Sequence, residues 1–233
     1  MTPVPTHTKI CGLRDPDTAR VALDAGADLV GVVFAESRRR VDVATALAIR
    51  EVLGPRAEIL DSSTEAIDRA LDDHRPLLVG VFAKQTSDEI NRIVAQVDLD
   101  LVQLSGGEHP SITARLQRPV IRAIHVHDAS TVAATLADAE RPPDSVTMLD
   151  TKSEIGGGSG QPFDWSIASG VALVRPIMLA GGLSSHNVQD AIAQVRPWAV
   201  DVSSGVETDG DKDHDKIRAF IAAARAAQEA PTP

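Results

Sequence analysis

Short apolar, β-branched runs recur along the chain, separated by longer stretches whose apolar residues fall three and four positions apart. The runs predict strands at Thr8–Cys11, Leu29–Phe34, Leu78–Phe82, Leu101–Leu104, Val120–Ile124, Val146–Leu149, Ile177–Leu179 and Ala199–Val202. Most are continuously apolar rather than alternating, as expected of strands covered on both faces in a parallel sheet. Between them Asp17–Ala25, Thr45–Val52, Ser87–Ala95, Ile112–Leu116, Ala129–Leu136, Asn187–Gln194 and Asp215–Ala227 predict helices, several with one buried face. Parallel strands joined by right-handed crossovers form either an open doubly wound sheet or a closed (β/α)8 TIM barrel. The first strand runs into Cys11-Gly12-Leu13-Arg14-Asp15, which lacks the glycine fingerprint of an open dinucleotide-binding sheet. The length of 233 residues fits the roughly 200 to 250 of a barrel. A single (β/α)8 barrel domain over residues 1–233 is expected. The segment Gly54–Pro76 breaks the even repeat and reads as an insertion on the barrel rim, with Ser63 or Thr64 capping a short helix over Ala66–Leu71. The tail Gln228–Pro233 has nothing apolar to bury and is expected to fray.

Charge narrows the partners. Acidic residues outnumber basic ones 33 to 23, a net charge of -10. Such a field repels phosphate backbones, so nucleic acid is not an expected partner. An anionic small molecule would need a local concentration of positive charge. No apolar run approaches the roughly 18 residues of a membrane span, so no membrane partner is expected. The opening MTPVPTHTKI lacks the basic start and apolar stretch of a secretory signal. One cysteine forms no internal disulfide and suits a reducing compartment, so a cytoplasmic location is expected. Outer helices of a barrel can face water or a second copy, which leaves monomer and homodimer both open.

In a barrel the reactive groups stand at the C-terminal ends of the strands. There the sequence puts Cys11, Ser37-Arg38-Arg39-Arg40, Asp150, Gly181-Gly182, Asp201 and Ser203-Ser204-Gly205. A lone free cysteine ordinarily reads as a small core hydrophobe. At a strand end in the barrel mouth, Cys11 could act as a general base if positive charge lowered its pKa. Asp150 could simply cap its loop, but partial burial would raise its pKa and let it donate a proton. An arginine run usually means a solvated patch. Here one of Arg38, Arg39 and Arg40 is expected to face the site, its planar fork suited to carboxylate or phosphate. Gly156–Gly160, Gly181-Gly182 and Ser203–Gly205 follow three successive strands, where glycine lets backbone N–H groups approach an anion. A phosphorylated substrate follows. The seven histidines are scattered without metal-ligand spacing, and His125 and His127, flanking Val126, read as loop residues. Aromatic residues make up 3%, with no tyrosine, so no stacking platform for bases is expected.

Lys9-Ile10-Cys11-Gly12-Leu13, Gly31-Val32-Val33-Phe34 leading to Ser37-Arg38-Arg39, Val79-Gly80-Val81-Phe82 and Val102-Gln103-Leu104 appear in order along the chain. Leu149-Asp150-Thr151, Gly157-Gly158-Ser159-Gly160 with Phe163-Asp164-Trp165, Ala180-Gly181-Gly182-Leu183 and Val200–Glu207 follow. This ordered set, from Lys9 to about Phe220, resembles phosphoribosylanthranilate isomerase. The resemblance implies a single (β/α)8 barrel without cofactor or metal. It also implies a tryptophan-biosynthesis step, the Amadori rearrangement of N-(5'-phosphoribosyl)anthranilate to 1-(2-carboxyphenylamino)-1-deoxyribulose 5-phosphate. Carried over by motif, Cys11 is the general base, Asp150 the general acid and Arg39 the partner of the anthranilate carboxylate. Gly158, Gly160, Gly181, Gly182, Ser203, Ser204 and Gly205 would hold the phosphate. A base of this kind calls for a thiol pKa lowered by nearby cations.

The chain departs from the family pattern in three places. Ser105 stands where histidine usually follows Val-Gln-Leu, Phe34–Ser37 is about one residue short, and Gly54–Pro76 has no counterpart. Two other readings use the same features. A different phosphosugar isomerase or synthase barrel would want an aspartate in place of Cys11, or a strand-end lysine that Lys152 is too far into its loop to supply. A non-catalytic phosphate-binding barrel would tolerate loss of Cys11.

Overall fold

The computed structural model describes residues 6–125, 145–150 and 165–229. The eight apolar runs form strands β1 (His7–Cys11), β2 (Leu29–Val33), β3 (Leu77–Phe82), β4 (Leu101–Leu104), β5 (Val120–His125), β6 (Val146–Asp150), β7 (Ile177–Ala180) and β8 (Ala199–Val202). They pair in sequence order, all parallel, and β8 closes back on β1. Alternation explains why continuously apolar strands suffice. Leu29, Leu77, Val79, Leu101, Ile121, Val146, Met148, Met178 and Ala199 pack together in the lumen. The intervening Val30, Leu78, Val102, Leu149, Leu179 and Val200 pack outward with helix residues.

The helices are α1 (Pro16–Ala25), α2 (Val43–Leu53), α3 (Thr64–Asp73), α4 (Ser87–Val97), α5 (Trp165–Ala172), α6 (Val188–Val195) and α7 (His214–Glu229). Local chemistry sets their starts. The Asp15 carboxylate accepts from the Thr18 N–H at 2.7 Å, Asp42 accepts from Thr45, and Thr86 with Glu89 forms a capping box. Three expectations need correction. Ile112–Leu116 is replaced by a 3-10 turn over Pro110–Arg115, a run of six residues too short to sustain an α-helix. Helix α5 was not expected: WSIASGVA has a glycine and hardly any polar face to mark its period. Gln228 does not fray, since α7 carries it to where its amide donates to the Thr6 carbonyl at 2.7 Å. The predicted helix Ala129–Leu136 lies outside the described residues.

The segment at Gly54–Pro76 supplies α3, which lies across the N-terminal mouth of the barrel, opposite the strand ends that carry the candidate chemistry. Ile67, Ala70 and Leu71 pack on Leu29, Leu77, Ala199 and Trp198, which begin or precede strands. Its Asp68 carboxylate accepts from the Trp198 indole at 2.8 Å and lies 2.9 Å from His7 Nε2. On its other side His7 lies 3.6 Å from Asp28, which also pairs with Arg75 at 2.8 Å. Burial alone would lower the His7 pKa, but the two carboxylates outweigh it and raise it to about 9. A folded-state pKa above the unfolded value adds stability that is complete below about pH 6.5 and is lost as pH rises through about 9. The shift corresponds to roughly 3 kcal/mol. Urea unfolding followed from pH 6 to 10 should record that decline, and His7→Gln should flatten it. Parallel profiles for the two proteins would rule the network out as its source.

Candidate active site

Strand alternation puts Lys9 and Cys11 of β1, Asp150 of β6, His125 of β5, and Asp201 with the following Ser203 of β8 on the lumen side. Cys11 is 7% exposed and packs with Val33 and Val81. Beneath it Lys9, wholly buried, donates to Asp201 at 2.7 Å, and its charge favours the thiolate. A β-carbon at Gly31 would come within 2.9 Å of the Cys11 sulfur and 3.3 Å of the Lys9 nitrogen, so glycine there gives the pair its room. Burying Lys9 and Asp201 gains little stability over an apolar pair. The arrangement instead fixes a cation against the sulfur.

The Cys11 pKa is raised, not lowered as the sequence suggested. Burial disfavours the thiolate more than Lys9 and Lys212 favour it, and Asp201 adds to the rise. For Lys9, burial works against the charge, but Asp201 and Cys11 outweigh it and raise its pKa.

Of the three arginines, Arg39 faces inward. Its Nε and Nη2 donate to the two carboxylate oxygens of Glu207 at 2.6 and 3.0 Å, a bidentate clasp. Arg38 reaches the same carboxylate from the exposed side at 2.5 Å, and Arg40 is exposed. Gly12 has φ 82°, and a β-carbon on it would meet Arg39 Cδ at 2.6 Å. Burial would raise the Glu207 pKa, but Arg39 and Lys212 hold it at about 2. Lys212 sits on a two-stranded hairpin, β9 (Glu207–Thr208) and β10 (Asp211–Lys212). Its ammonium donates to Glu207 at 3.1 Å and to the Ser203 carbonyl at 2.7 Å. Burial lowers its pKa against the pull of Glu207. Among the described residues around Cys11, Lys9, Lys212, Arg38 and Arg39 stand against Asp201 and Glu207, a local excess of positive charge that suits an anion.

The turns after β7 and β8 touch. A β-carbon on Gly205 would lie 1.9 Å from the Leu183 carbonyl, so the second turn closes on the first only through glycine. Gly181 and Gly182 both have positive φ, at 90° and 68°. Ser203 donates its hydroxyl to the Cys11 carbonyl at 3.1 Å, and Ser204 opens the short 3-10 turn that ends at Val206. Gly158, Gly160 and Lys152 lie outside the described residues. Opposite, Asp150 ends β6 with its side chain 19% exposed, and its Oδ2 lies 3.5 Å from His125 Nδ1. His125 is the last residue of β5 rather than part of a loop. His127 lies outside the described residues. Among the described residues no group of His, Cys, Asp and Glu is placed to hold a metal ion. Nor is any described helix long and apolar enough to cross a membrane.

Residues 56–223 match a family model described as N-(5'-phosphoribosyl)anthranilate (PRA) isomerase. The chain belongs to the phosphoribosylanthranilate isomerase family. An N-(5'-phosphoribosyl)anthranilate isomerase of Roseiflexus castenholzii is 46% identical, over 94% of this chain and 98% of the relative. The crystal structure of the isomerase from Thermotoga maritima overlays with a TM-score of 0.79 at 34% identity, over 95% of this chain and 99% of the other. A structure of the isomerase in complex with reduced 1-(o-carboxyphenylamino)-1-deoxyribulose 5-phosphate overlays at 0.77 with 32% identity, over the same shares. Four groups at this end of the barrel escaped the sequence reading: Lys9, His125, Glu207 and Lys212. Asp201 was among the strand-end residues, though without a partner. Lys9 left a trace, since a lysine interrupting an apolar strand two places before Cys11 shares its face. Lys212 left none, because only the hairpin turns it inward.

Proposed function

We infer that the chain carries out its family's reaction, a step of tryptophan biosynthesis, with Cys11 as base and Asp150 as acid. The observation that carries this reading is the meeting of thiol, carboxyl and cation cluster at one end of one lumen. Asp150, when protonated, gives a proton to the ribose ring oxygen. The C1'–O bond breaks and the nitrogen lone pair forms a cationic imine. The C2' proton, now acidic, passes to the Cys11 thiolate, and the resulting enol settles to the ketone by losing its hydroxyl proton while C1' gains one. No net proton or electron is exchanged.

A raised thiol pKa in the free protein is compatible with this role because the substrate brings its own cation. A positive charge forming beside the sulfur favours the thiolate, and it does so on top of the charge of Lys9 below. Arg39, held edge-on by Glu207, offers its remaining N–H groups to the anthranilate carboxylate. The turns carrying Gly181, Gly182, Ser203, Ser204 and Gly205, with Gly158 and Gly160, receive the phosphate. Arg39→Met should remove about 1.5–3 kcal/mol of binding, raising KM about 10- to 100-fold while kcat changes little. A fall in kcat at unchanged KM would move Arg39 out of the binding role.

In this reading the enzyme works in the cytoplasm, where a lone thiol stays reduced, as a monomer or homodimer and without a cofactor. The test is turnover by the purified chain, aldosylamine converted to ketose by chromatography, together with growth of a tryptophan auxotroph lacking this isomerase. Tight binding of the phosphosugar with no conversion would leave a non-catalytic barrel instead.

A further inference from the structure

We propose that His125 is a proton store and positioning residue for Asp150: its imidazole keeps beside the carboxyl the proton that Asp150 passes to the ribose ring oxygen. The inference rests on the isomerase reading above. Its ground is the order of three neighbouring strand ends. His125 Nε2 lies 3.2 Å from the carbonyl oxygen of Ser105, just after β4. A carbonyl only accepts, so Nε2 must carry a hydrogen, and the tautomer is fixed. Nδ1 is left facing Asp150 Oδ2 at 3.5 Å, across a register that pairs His125 with Asp150 directly.

Two unprotonated atoms would repel across that gap. One proton makes the contact attractive, whether it rides on Nδ1 beside a carboxylate or on Oδ2 beside a neutral ring. The contact is longer than a formed hydrogen bond, as is common for catalytic groups before substrate arrives. Ser105 is itself held, its hydroxyl accepting from the Gln103 amide at 3.0 Å. The imidazole therefore has a fixed hinge on one side and the acid on the other. With side chains 31% and 19% exposed, His125 and Asp150 remain open to water for reprotonation.

Carboxyl groups as a class are almost wholly ionised near neutrality, whereas imidazoles as a class take up and release protons there, so an imidazole beside the acid is a ready source for the proton it passes on. In the step itself the Nδ1 proton moves to Oδ2 and on to the ring oxygen as the C1'–O bond breaks, its electron pair staying on oxygen. Asp150 is left as carboxylate and His125 neutral. One proton from water restores the pair, matched by the C2' proton that Cys11 returns to water.

His125→Gln keeps a donor for the Ser105 carbonyl but has nothing to protonate toward Asp150. Its kcat should fall about 100-fold, the lower end of what a positioned proton-transfer group supplies, with KM within about twofold. In an Asp150→Asn background the same change should cost nothing further, because groups acting as a unit are not additive. Unchanged kcat in His125→Gln, or losses that multiply in the double variant, would overturn the proposal. Should that variant fold poorly by its melting curve, His125→Ala with added imidazole decides: recovered turnover supports the store, and none refutes it. If the unmutated chain shows no turnover, the isomerase reading fails and this inference with it. If only the histidine variants behave normally, the inference alone falls.

Discussion

Cys11→Ser is expected to lower kcat about 100- to 10,000-fold while leaving KM within a few-fold, the loss typical of removing one positioned base. Serine nearly matches the thiol in size, so a side chain 7% exposed at the lumen end should be replaced without collapse. What disappears is ionisability. A serine hydroxyl is a far weaker acid than a thiol, so it stays protonated even with Lys9 and the cationic imine beside it. Steady-state kinetics beside an unchanged melting curve make the measurement. A serine variant within tenfold of the parent would end the case for Cys11 as base, and a matching drop in stability would assign the loss to packing.

Asp150→Asn should give a fall of the same order, again with binding retained. The amide fills the same volume at the end of β6 and can still meet His125, but it has no proton to give the ring oxygen. The two losses should differ in what they leave behind. Without the acid the ribose ring stays closed and bound aldosylamine is recovered intact. Without the base the ring can open, so the C2' hydrogen should exchange no deuterium from D2O although the imine forms. Exchange at C2' persisting in Cys11→Ser would mean that another group removes that proton.

Much of the barrel could be read from the chain because parallel strands covered on both faces have few options. Eight apolar runs at regular intervals, each with a helix or room for one, close in sequence order. The reading failed where period carried no information. Helix α5 has almost no polar face to set a phase, and the six-residue run Pro110–Arg115 is short enough to wind as a 3-10 turn. At the site, the strand-end rule pointed to Cys11, Asp150 and the run Arg38–Arg40, and only the family resemblance chose Arg39 among the three. It could not supply the balance of burial against charge at Cys11, since that sum depends on how deeply Lys9 and Asp201 lie below it. Nor could it foresee the place of His125, which comes from the β5–β6 register and from a backbone carbonyl just after β4, neither of which has a signature in residue spacing.

Helix α3 gives the molecule two ends with separate duties. Its carboxylate ties His7 and Trp198 together at one mouth, while Cys11 and Asp150 stand at the other, with the filled lumen between them. A lineage carrying such a stopper can therefore adapt its tolerance of heat or alkali by editing one face of one helix, without renegotiating the geometry that turns substrate into product.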